Sequence, residues 1–502
     1  MRSSGILLPV ASLASSYGIG SFSKEAYELI DFLKSAKQSW WQVLPLGPTG
    51  YGDSPYQSFS TFAGNPYFID LDELIKNGWL KKEEVAKADW GKDPHYVDYE
   101  KVYHSRFELL RKAYKNSGIE NDKAYQKFKK ENAFWLDDYA LFMALKKKFR
   151  GRSFLFWDEP LRLHDKKAIK KALAEKEVSE ETEVLRFTQF MFFKQWHALK
   201  KYANENGIGI IGDIPIYVAT DSADRWGNPE LFQLDEKGFP RAVAGCPPDY
   251  FSATGQLWGN PLYDWEAHKK SGFEWWLKRL AFCFDMYDTV RIDHFRGFDE
   301  YYSIPYGDPT AEFGHWEKGP GFALFKTMKE KLGEKSIIAE DLGYLTESVK
   351  KLVKRTGYPG MKILEFAFDS AEDNDYLPHN FDKNCIVYTG THDNDTAAGW
   401  YEKLKRKDQQ FARHYLGIKS GGHIARELVR LAMASVADTC IIPLQDHLEL
   451  GSEARINTPS TLGGNWNWRM EAGALTPGLA DEIRSLTELY AREGNHASPK
   501  EK

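Results

Sequence analysis

Short apolar runs recur along the chain, and each is bounded by turn residues or by charged segments. Such runs are typical of strands that are buried on both faces of a parallel sheet. The sequence therefore predicts a sheet of eight strands. The runs are GILLPV (5–10), WWQVLPLG (40–47), IGIIGDIPIYV (208–218), TVRIDHF (289–295), SIIAEDLG (336–343), MKILEFAF (361–368), CIVYTGTHD (385–393) and CIIPLQD (440–446).

Segments with helical periodicity separate most of these runs, for example 23–38, 188–206, 273–287, 346–356 and 424–434. Alternating strands and helices predict a parallel sheet that is covered by helices, and eight strands close a (β/α)8 TIM barrel in the α/β class. A doubly wound open sheet is the alternative, but it does not need eight strands, and the sequence has no Gly-rich phosphate loop.

The predicted strands are unevenly spaced, because segment 48–207 separates the second from the third. A structureless loop of this length is implausible in a compact domain, and 105–117, 122–132 and 134–149 have charged helical patterns. We predict three parts. They are a catalytic barrel (1–60 and 186–472), a mostly helical inserted subdomain (61–185), and a C-terminal helix and tail packed on the barrel (473–502).

Composition narrows the class of partner. Lys and Arg number 67 against 72 Asp and Glu, a net charge of −5, which argues against nucleic-acid binding and against a basic membrane anchor. No apolar stretch approaches the length of a membrane span, and the run GILLPV breaks at Pro9 without signal-peptide architecture. The four cysteines are far apart, which fits reduced thiols and a cytoplasmic location.

Aromatic residues are abundant, at 15% of the chain. A large core explains most of them. Some could instead be platforms for sugar rings, whose flat C–H faces pack on aromatic rings, and composition does not separate these two roles.

Acidic residues occur where several of the predicted strands end. In a barrel these ends lie on one face, where active sites are built. One such acid can cap the following helix, but a whole set on one rim is unfavourable without a function, because like charges repel. The acids are Asp213, Asp293, Glu340, Asp341, Asp393 and Asp446.

Arg291 and Asp293 are two residues apart on one predicted strand, so their side chains share a face. A guanidinium keeps a neighbouring carboxylate ionised, which suits a nucleophile, although the pair could equally be a structural ion pair. Glu340 follows the apolar run SIIA, whose burial is expected to raise its pKa as a general acid requires; a buried salt bridge is its alternative role. Two carboxyls that face each other across a substrate are what cleavage of a glycosidic bond needs.

The string TGTHDNDT adds a third acid to this rim. Asp393, beside His392, could bind ring hydroxyls, and its charge would favour the protonated form of Glu340. The His-Asp pair could instead cap a helix, and Asp395 is the rival for the same role. We assign the role to Asp393.

Several longer strings resemble those of one enzyme family, the 4-α-glucanotransferases (amylomaltases or disproportionating enzymes) of the α-amylase superfamily. The resemblance runs from about residue 3 to about residue 470. The order R-x-D, E-D, H-D is fairly specific to the superfamily, and SPYQ and GQ-x-WGNP are specific to this branch. The strings are GYGDSPYQSFSTFAGNPYFIDL, GDIPIYV, PPDYFSATGQLWGNPLYDW, VRIDHFRGF, IIAEDLG, YTGTHDNDT and IPLQD…EARIN…GNWNWR.

The resemblance implies a role for each acid. Asp293 would be the nucleophile that forms a β-glucosyl-enzyme, and Glu340 would be the acid/base. Asp393 would grip and distort the donor sugar as the transition-state stabiliser, with Arg291 and His392 beside it.

The resemblance also implies a set of substrate-binding residues. Asp213 stands where many amylases have an Asp followed by a nearby His; this chain reads DIPIYV instead, which argues against an ordinary amylase. Trp258 is expected on a loop over the cleft, either stacking on sugar or anchoring a turn. Tyr51 and Tyr99 could form a second glucan site, although a core role is the stronger alternative. The remaining candidates are Ser54, Tyr56, Asp249, His294, Phe366 and Asn465.

Three functions remain open at this point: transfer of α-1,4-glucan segments, amylase-like hydrolysis, and non-catalytic glucan binding. The intact acidic triplet argues against the third, and SPYQ together with the missing His favours transfer. Segments 246–260 and 456–467 are candidate lids that would decide whether sugar or water reaches the intermediate. We expect α-1,4-glucans and maltooligosaccharides as partners, no metal or other cofactor, and a monomer or weak dimer.

Overall fold

A computed structural model of the chain describes residues 2–50, 52–248, 252–343, 345–369 and 374–494. Its strands fall into one parallel and one antiparallel sheet. The strands are β1 (Ser3–Leu7), β2 (Trp40–Gln42), β3 (Gly209–Pro215), β4 (Ala242–Cys246), β5 (Gln256–Pro261), β6 (Thr289–Asp293), β7 (Glu300–Pro305), β8 (His315–Lys318), β9 (Ile337–Ala339), β10 (Gly360–Ile363), β11 (Cys385–Tyr388) and β12 (Thr439–Pro443).

The α-helices surround the parallel sheet and fill the long connection between β2 and β3. They are α1 (Lys24–Ser35), α2 (Leu71–Lys76), α3 (Lys82–Lys87), α4 (Tyr99–Ser117), α5 (Lys123–Glu131), α6 (Ala133–Lys148), α7 (Glu159–Arg162), α8 (Lys166–Leu173), α9 (Lys176–Glu205), α10 (Ala223–Gly227), α11 (Trp265–Lys270), α12 (Glu274–Met286), α13 (Phe322–Leu332), α14 (Glu347–Thr356), α15 (Ala397–Lys403), α16 (Arg406–Leu416), α17 (Ile424–Ala434), α18 (Leu444–His447) and α19 (Pro477–Leu489).

The parallel sheet is a nearly closed barrel. Its eight strands follow the order β10-β11-β12-β1-β2-β3-β6-β9. The two ends of this order meet where the N–H of Ala339 donates to the carbonyl of Pro359 over 3.0 Å. Every residue of β1, β9 and β11 is buried, which is why the sequence shows continuous apolar runs rather than alternation. The predicted eight strands and the (β/α)8 TIM-barrel class are confirmed.

Local signals set several helix bounds close to the prediction. The side chain of Thr346 accepts a hydrogen bond from the N–H of Val349 at the start of α14, and Gly357 ends this helix in the left-handed conformation. Helix α17 has the predicted bounds, 424–434. Helix α9 begins at Lys176 rather than at 188, so the predicted domain boundary at 185/186 falls inside it.

The connection between β2 and β3 is mostly helical, as the fold prediction states. Its helices α4, α5 and α6 pack on α9. Trp135 of α6 and Phe193 of α9 lie with their ring centroids 5.8 Å apart in a core that also contains barrel residues such as Val290. The inserted helices and the barrel therefore share one hydrophobic core, and the division into separate domains stays a prediction.

A second sheet is missing from the sequence-based prediction. Strands β5, β4, β7 and β8 pair in that order, and all three ladders are antiparallel. The expectation that Trp258 lies on a loop is wrong, because Trp258 is inside β5. Such short strands, with Gly and Asn in β5 and exposed polar residues in β8, carry little local signal.

Among the helices that the structure describes, none combines the length and the apolar composition that crossing a membrane would require.

Candidate active site

The parallel register brings the predicted acids to one rim. Asp213 of β3 is paired with Arg291 of β6, and Ile292 of β6 is paired with Ala339 of β9. Asp293 and Glu340 therefore follow paired residues at the carboxyl ends of neighbouring strands. This edge is where barrel enzymes build their active sites.

Arg291 links two of these acids. Its Nη1 donates to both carboxylate oxygens of Asp213, at 2.7 and 2.8 Å, and its Nη2 lies 3.0 Å from Oδ1 of Asp293. Both Arg291 and Asp213 are buried. On its other side, Nε of Arg291 lies 3.4 Å from Sδ of Met361. The guanidinium is thus fixed on three sides, and it holds the carboxylate of Asp293 in one orientation.

Asp293 faces the cleft, with 29% of its side chain exposed. Burial of the surrounding site raises the pKa of its carboxyl to about 6. The positive charge of Arg291 opposes this rise, whereas the negative charge of Asp213 adds to it. Arg291 therefore favours the ionised form of Asp293 against the burial of the site.

Glu340 is held by two backbone groups. The N–H of His294 donates to its Oε2 at 2.7 Å, and the N–H of Leu342 donates to its Oε1 at 2.9 Å. Burial, followed by the charge of Asp293, raises the pKa of this carboxyl to about 7. Glu340 thus keeps its proton to a higher pH than Asp293 does.

His392 and Asp393 lie on the loop that follows β11. The ring of His392 stacks on Tyr56, with centroids 5.0 Å apart and an interplanar angle of 16°, and the hydroxyl of Tyr56 donates to Asp213 at 2.8 Å. Asp393 is 46% exposed, and its Oδ1 accepts from Nδ2 of Asn457 at 2.6 Å. The Tyr56 and His392 pair thus joins Asp393 to the acids on β3 and β6.

Asp395, the rival of Asp393, is engaged elsewhere. Its side chain is 5% exposed and accepts a hydrogen bond from Ser452 at 2.9 Å, while Lys403 forms an ion pair with it. A ligand in the cleft would have to break these contacts to reach it. This geometry favours Asp393 for the third role.

Asp446 has a structural role. Its Oδ1 accepts from the N–H of Ala397 at 2.8 Å at the start of α15, and its Oδ2 accepts from the hydroxyl of Thr389. Asp446 lies within α18, and Thr396 is the N-cap of α15, so Asp446 does not cap the helix that follows its strand but joins α18 to the start of α15.

Trp258 and His294 meet at the base of the antiparallel sheet. Their rings pack edge to face, with centroids 4.8 Å apart at 87°. His294 has a φ of 53°, in the left-handed region, directly after Asp293. Burial lowers the pKa of its imidazole to about 3, so this ring is neutral at ordinary pH.

A family model described as 4-alpha-glucanotransferase matches residues 8–476 of this chain. The chain belongs to the 4-α-glucanotransferase family. A 4-α-glucanotransferase of Clostridium butyricum is 49% identical over 485 residues, which are 96% of this chain and 99% of the relative. One from Thermus thermophilus is 46% identical over 502 residues, which are 98% of this chain and 99% of the relative.

Among solved structures, the amylomaltase from Streptococcus agalactiae in complex with acarbose is similar to this protein with a TM-score of 0.95. It is 42% identical, and the match covers 98% of this chain and 100% of that one. The resemblance inferred from the sequence strings is confirmed, and the protein is an enzyme of the 4-α-glucanotransferase family.

Three further residues that were predicted to bind substrate contact neighbouring residues of the chain. Ser54 accepts a hydrogen bond from the N–H of Tyr56 at 3.3 Å, so its side chain supports the Tyr56 loop. Asn465 bonds to Thr458 and Thr461, which closes its own loop. Phe366 is 40% exposed and lies edge-on to Tyr376.

The predictions for Asp249, Tyr51 and Tyr99 as glucan-binding residues stay untested. Asp249 and Tyr51 lie outside the described residues. Tyr99 donates through its hydroxyl to the carbonyl of Trp466 at 2.7 Å and lines a groove of about 560 Å³ together with Asn465. The second glucan site stays a prediction.

Sequence reasoning assigned no role to Asn457 and Met361, which hold Asp393 and Arg291 in place. Asn457 lies in EARIN, one of the strings that carry the family resemblance. That string was the one sequence signal that could have pointed to Asn457. Its contact with Asp393 spans 64 positions of the chain and has no local signature.

Within residues 2–50, 52–248, 252–343, 345–369 and 374–494, no cluster of three or more His, Cys, Asp or Glu could hold a metal ion. The cleft offers two carboxyls with raised pKa values, of which Glu340 keeps its proton to the higher pH, and a third carboxyl, Asp393, that is exposed. Such a set can exchange groups at an acetal carbon by acid/base and nucleophilic catalysis.

Proposed function

We propose that the protein transfers α-1,4-glucan segments from a maltooligosaccharide or starch chain to the 4-hydroxyl of an acceptor glucan or glucose. The observation that carries the mechanism is the pair Asp293 and Glu340, whose pKa values are about 6 and about 7. A nucleophile must be ionised while the general acid is protonated. Between these two values, that combination is the most populated one.

In the first step, a carboxylate oxygen of Asp293 attacks the anomeric carbon of the donor. The bond from this carbon to the glycosidic oxygen breaks, and Glu340 gives its proton to that oxygen as the leaving glucan departs. The products are a glucosyl ester of Asp293 and an ionised Glu340.

In the second step, the 4-hydroxyl of an acceptor glucan loses its proton to Glu340 and attacks the same carbon. The ester bond breaks and Asp293 leaves as a carboxylate. Two inversions give net retention. In the free enzyme, the negative charge of Asp293 raises the pKa of Glu340. Esterification removes this charge and so lowers the pKa of Glu340, which rises again when the ester bond breaks.

Asp393 is proposed to bind hydroxyls of the donor sugar and to stabilise the positive charge that develops in the transition state. Its exposure supports this role, as does the hydrogen bond from Asn457 that anchors it. Arg291 and His392 are proposed to orient Asp293 and Asp393. The remaining proposed glucan contacts are Asp213, Trp258, Asp249, Tyr56, Ser54, Asn465, His294 and Phe366.

We also propose a cytoplasmic location and a monomer or weak dimer. Cys283, Cys385 and Cys440 form no disulfide and are buried. Thiols in this state fit a reducing compartment.

Incubation with maltotriose alone tests the transfer activity. Transfer yields a ladder of longer and shorter oligosaccharides together with released glucose, because one fragment leaves while the other passes to a second maltotriose. Products no longer than the substrate would instead indicate hydrolysis. Chromatographic separation of the products distinguishes the two.

Asp293→Asn tests the assignment of the nucleophile. The amide cannot form the ester, so turnover should fall by several orders of magnitude while maltotriose affinity stays similar. The control is Asp395→Asn, which changes an acid that the cleft does not use. Near-normal turnover in Asp293→Asn would refute the assignment.

A further inference from the structure

A second concave site lies beside the barrel, with a volume of about 340 Å³. We call it the side pocket. Helices α6, α11 and α12 and the turn after α10 enclose it. Its lining includes Phe134, Asn228, Glu230, Trp275 and Lys278.

The side pocket lies on the same side of the molecule as the active site. Its walls include the connection that leaves the carboxyl end of β3 and the first turn of α12, which begins at Glu274. In a (β/α)8 barrel, a helix starts on the side where the preceding strand ends. Ser60 and Phe62 line both the side pocket and a small inner cavity that reaches Tyr56 and Asp213. The two residues thus separate the side pocket from this inner cavity.

Aromatic surface is the first feature that the pocket offers a ligand. Phe134 is 50% exposed. The ring of Phe62 packs edge to face against it, with ring centroids 5.4 Å apart and an interplanar angle of 84°. Trp275 and Trp135 form the deeper wall. A single exposed aromatic residue is ordinary, but here it borders a pocket that also holds polar groups.

The polar groups are the second feature. The carboxylate of Glu274 is paired with Lys278 at 2.7 Å, and that of Asp138 lies 3.0 Å from His164. The ammonium of Lys278 also lies 6.0 Å from the centre of the Phe134 ring. The ammonium of Lys278 makes the pocket a poor site for a small cation. Glu230 is exposed and can accept hydrogen bonds, as can Oδ1 of Asn228, whose Nδ2 donates to the carbonyl of Asp224 at 2.9 Å.

We infer that the side pocket binds one or two glucose units of an α-1,4-glucan outside the catalytic cleft. Sugar rings need an apolar platform for their C–H faces together with carboxylate or amide partners for their hydroxyls, and this pocket has both. Its volume lies at the lower end of the range of small-molecule sites, about 300–1,000 Å³. A chain anchored there would raise the local concentration of glucan at the cleft.

Binding stoichiometry tests the inference on the full chain. We would titrate the double variant Asp293→Asn/Glu340→Gln with maltotriose by calorimetry and count the bound equivalents. Adding Phe134→Ala should remove one equivalent, and adding Glu230→Gln should weaken that same equivalent. The matched control is Phe156→Ala, a phenylalanine of the same insertion that is 69% exposed and does not line the pocket. An unchanged number of equivalents with Phe134→Ala would overturn the inference.

The inference needs glucan as the substrate but not the assigned roles of Asp293 and Glu340. Products formed by the double variant would contradict those roles and not the pocket. Kinetics of the otherwise unaltered enzyme give an independent readout. Phe134→Ala should raise KM for long glucans several-fold and leave kcat and the maltotriose parameters unchanged, because a trisaccharide cannot span both sites. Equal effects on short and long substrates would contradict the tether.

Discussion

At the scale of single residues, Arg291 shows how one buried cation serves two acids. Both carboxylate oxygens of Asp213 accept from Nη1 of Arg291, and Asp293 lies against Nη2. Asp213 is fully buried, and the guanidinium of Arg291 balances its charge. Asp293 remains open to the cleft with a fixed orientation. A buried ion pair of this kind is retained for positioning rather than for stability.

The two pKa values give a pH dependence. Below about pH 6, Asp293 gains a proton and loses its nucleophilic form; above about pH 7, Glu340 loses the proton that the leaving group needs. A plot of kcat/KM against pH should therefore be bell-shaped, with limbs near these values.

Asp213→Asn provides the discriminating variant. The charge of Asp213 raises the pKa of Asp293, so its removal should move the acid limb to lower pH. Burial and the charges of Asp293 and Arg291 have the largest effects on the pKa of Glu340, so the alkaline limb should move less than the acid limb. A shift of the acid limb to higher pH would contradict this electrostatic account.

Asn457 gives a second prediction for a single residue. It is 9% exposed, its amide donates to Asp393, and its N–H donates to the carbonyl of His392 at 3.1 Å. Asn457→Ala leaves Asp393 without this anchor, and a hydrogen bond to a charged group contributes about 1.5–3 kcal/mol. We expect kcat to fall by about tenfold or more, with little change in KM.

The matched control for this variant is Asn384→Ala, which removes an exposed amide that bonds to Gly357. Steady-state kinetics of both variants, with melting temperatures to confirm folding, make the comparison. An unchanged kcat in Asn457→Ala would show that Asp393 needs no support from this loop.

The sequence could predict which acids reach the rim, because each follows an apolar strand. It could not predict which of them face a ligand. Asp395 and Asp446 are engaged by contacts such as those with Ser452, Lys403 and Thr389, which are set by tertiary packing. Local patterns carry no information about such partners.

At the scale of elements, the same contrast separates the two sheets. The barrel strands are buried on both faces, so each one appears in the sequence as a continuous apolar run. The antiparallel strands depend on pairing across distant segments, as β4 pairs with both β5 and β7. Strand β4 consists mostly of small residues and β8 mostly of polar ones, whereas β7 (EYYSIP) has residues that favour strands but do not reveal their partners.

Within the long connection between β2 and β3, a buried amide of helix α9 holds the segment around Gly64. The side chain of Gln189 accepts from the N–H of Gly64 at 2.7 Å and donates to its carbonyl at 2.9 Å. Gln189→Leu keeps the volume but leaves two buried backbone groups unpaired, at a cost of about 2 kcal/mol or more. Denaturant unfolding should show this loss.

The control is Gln126→Ala, which alters an exposed side chain on α5 and should change the free energy of unfolding by less than about 0.5 kcal/mol. If Gln189→Leu also stayed within that limit, the contact between α9 and Gly64 would not stabilise the fold.

At the scale of the whole molecule, the inserted helices and the barrel form one packed body around a common core. The barrel brings acids from β3, β6 and β9 to one rim, and the loops after β11 and β12 add Asp393 and Asn457. The long connection after β2 contributes Tyr56. Residues far apart in the sequence thus form one cleft, and the insertion adds the side pocket on the same side.

The central claim is that Asp293 carries the glucosyl group while Glu340 supplies and removes the proton. The direct test treats Glu340→Gln with α-maltosyl fluoride, whose fluoride leaves without an acid, and measures the mass of the intact protein. We predict an increase by one maltosyl group that peptide mapping places on Asp293 and that Asp293→Asn/Glu340→Gln does not show. An adduct on another residue, or the same adduct in the double variant, would contradict the account.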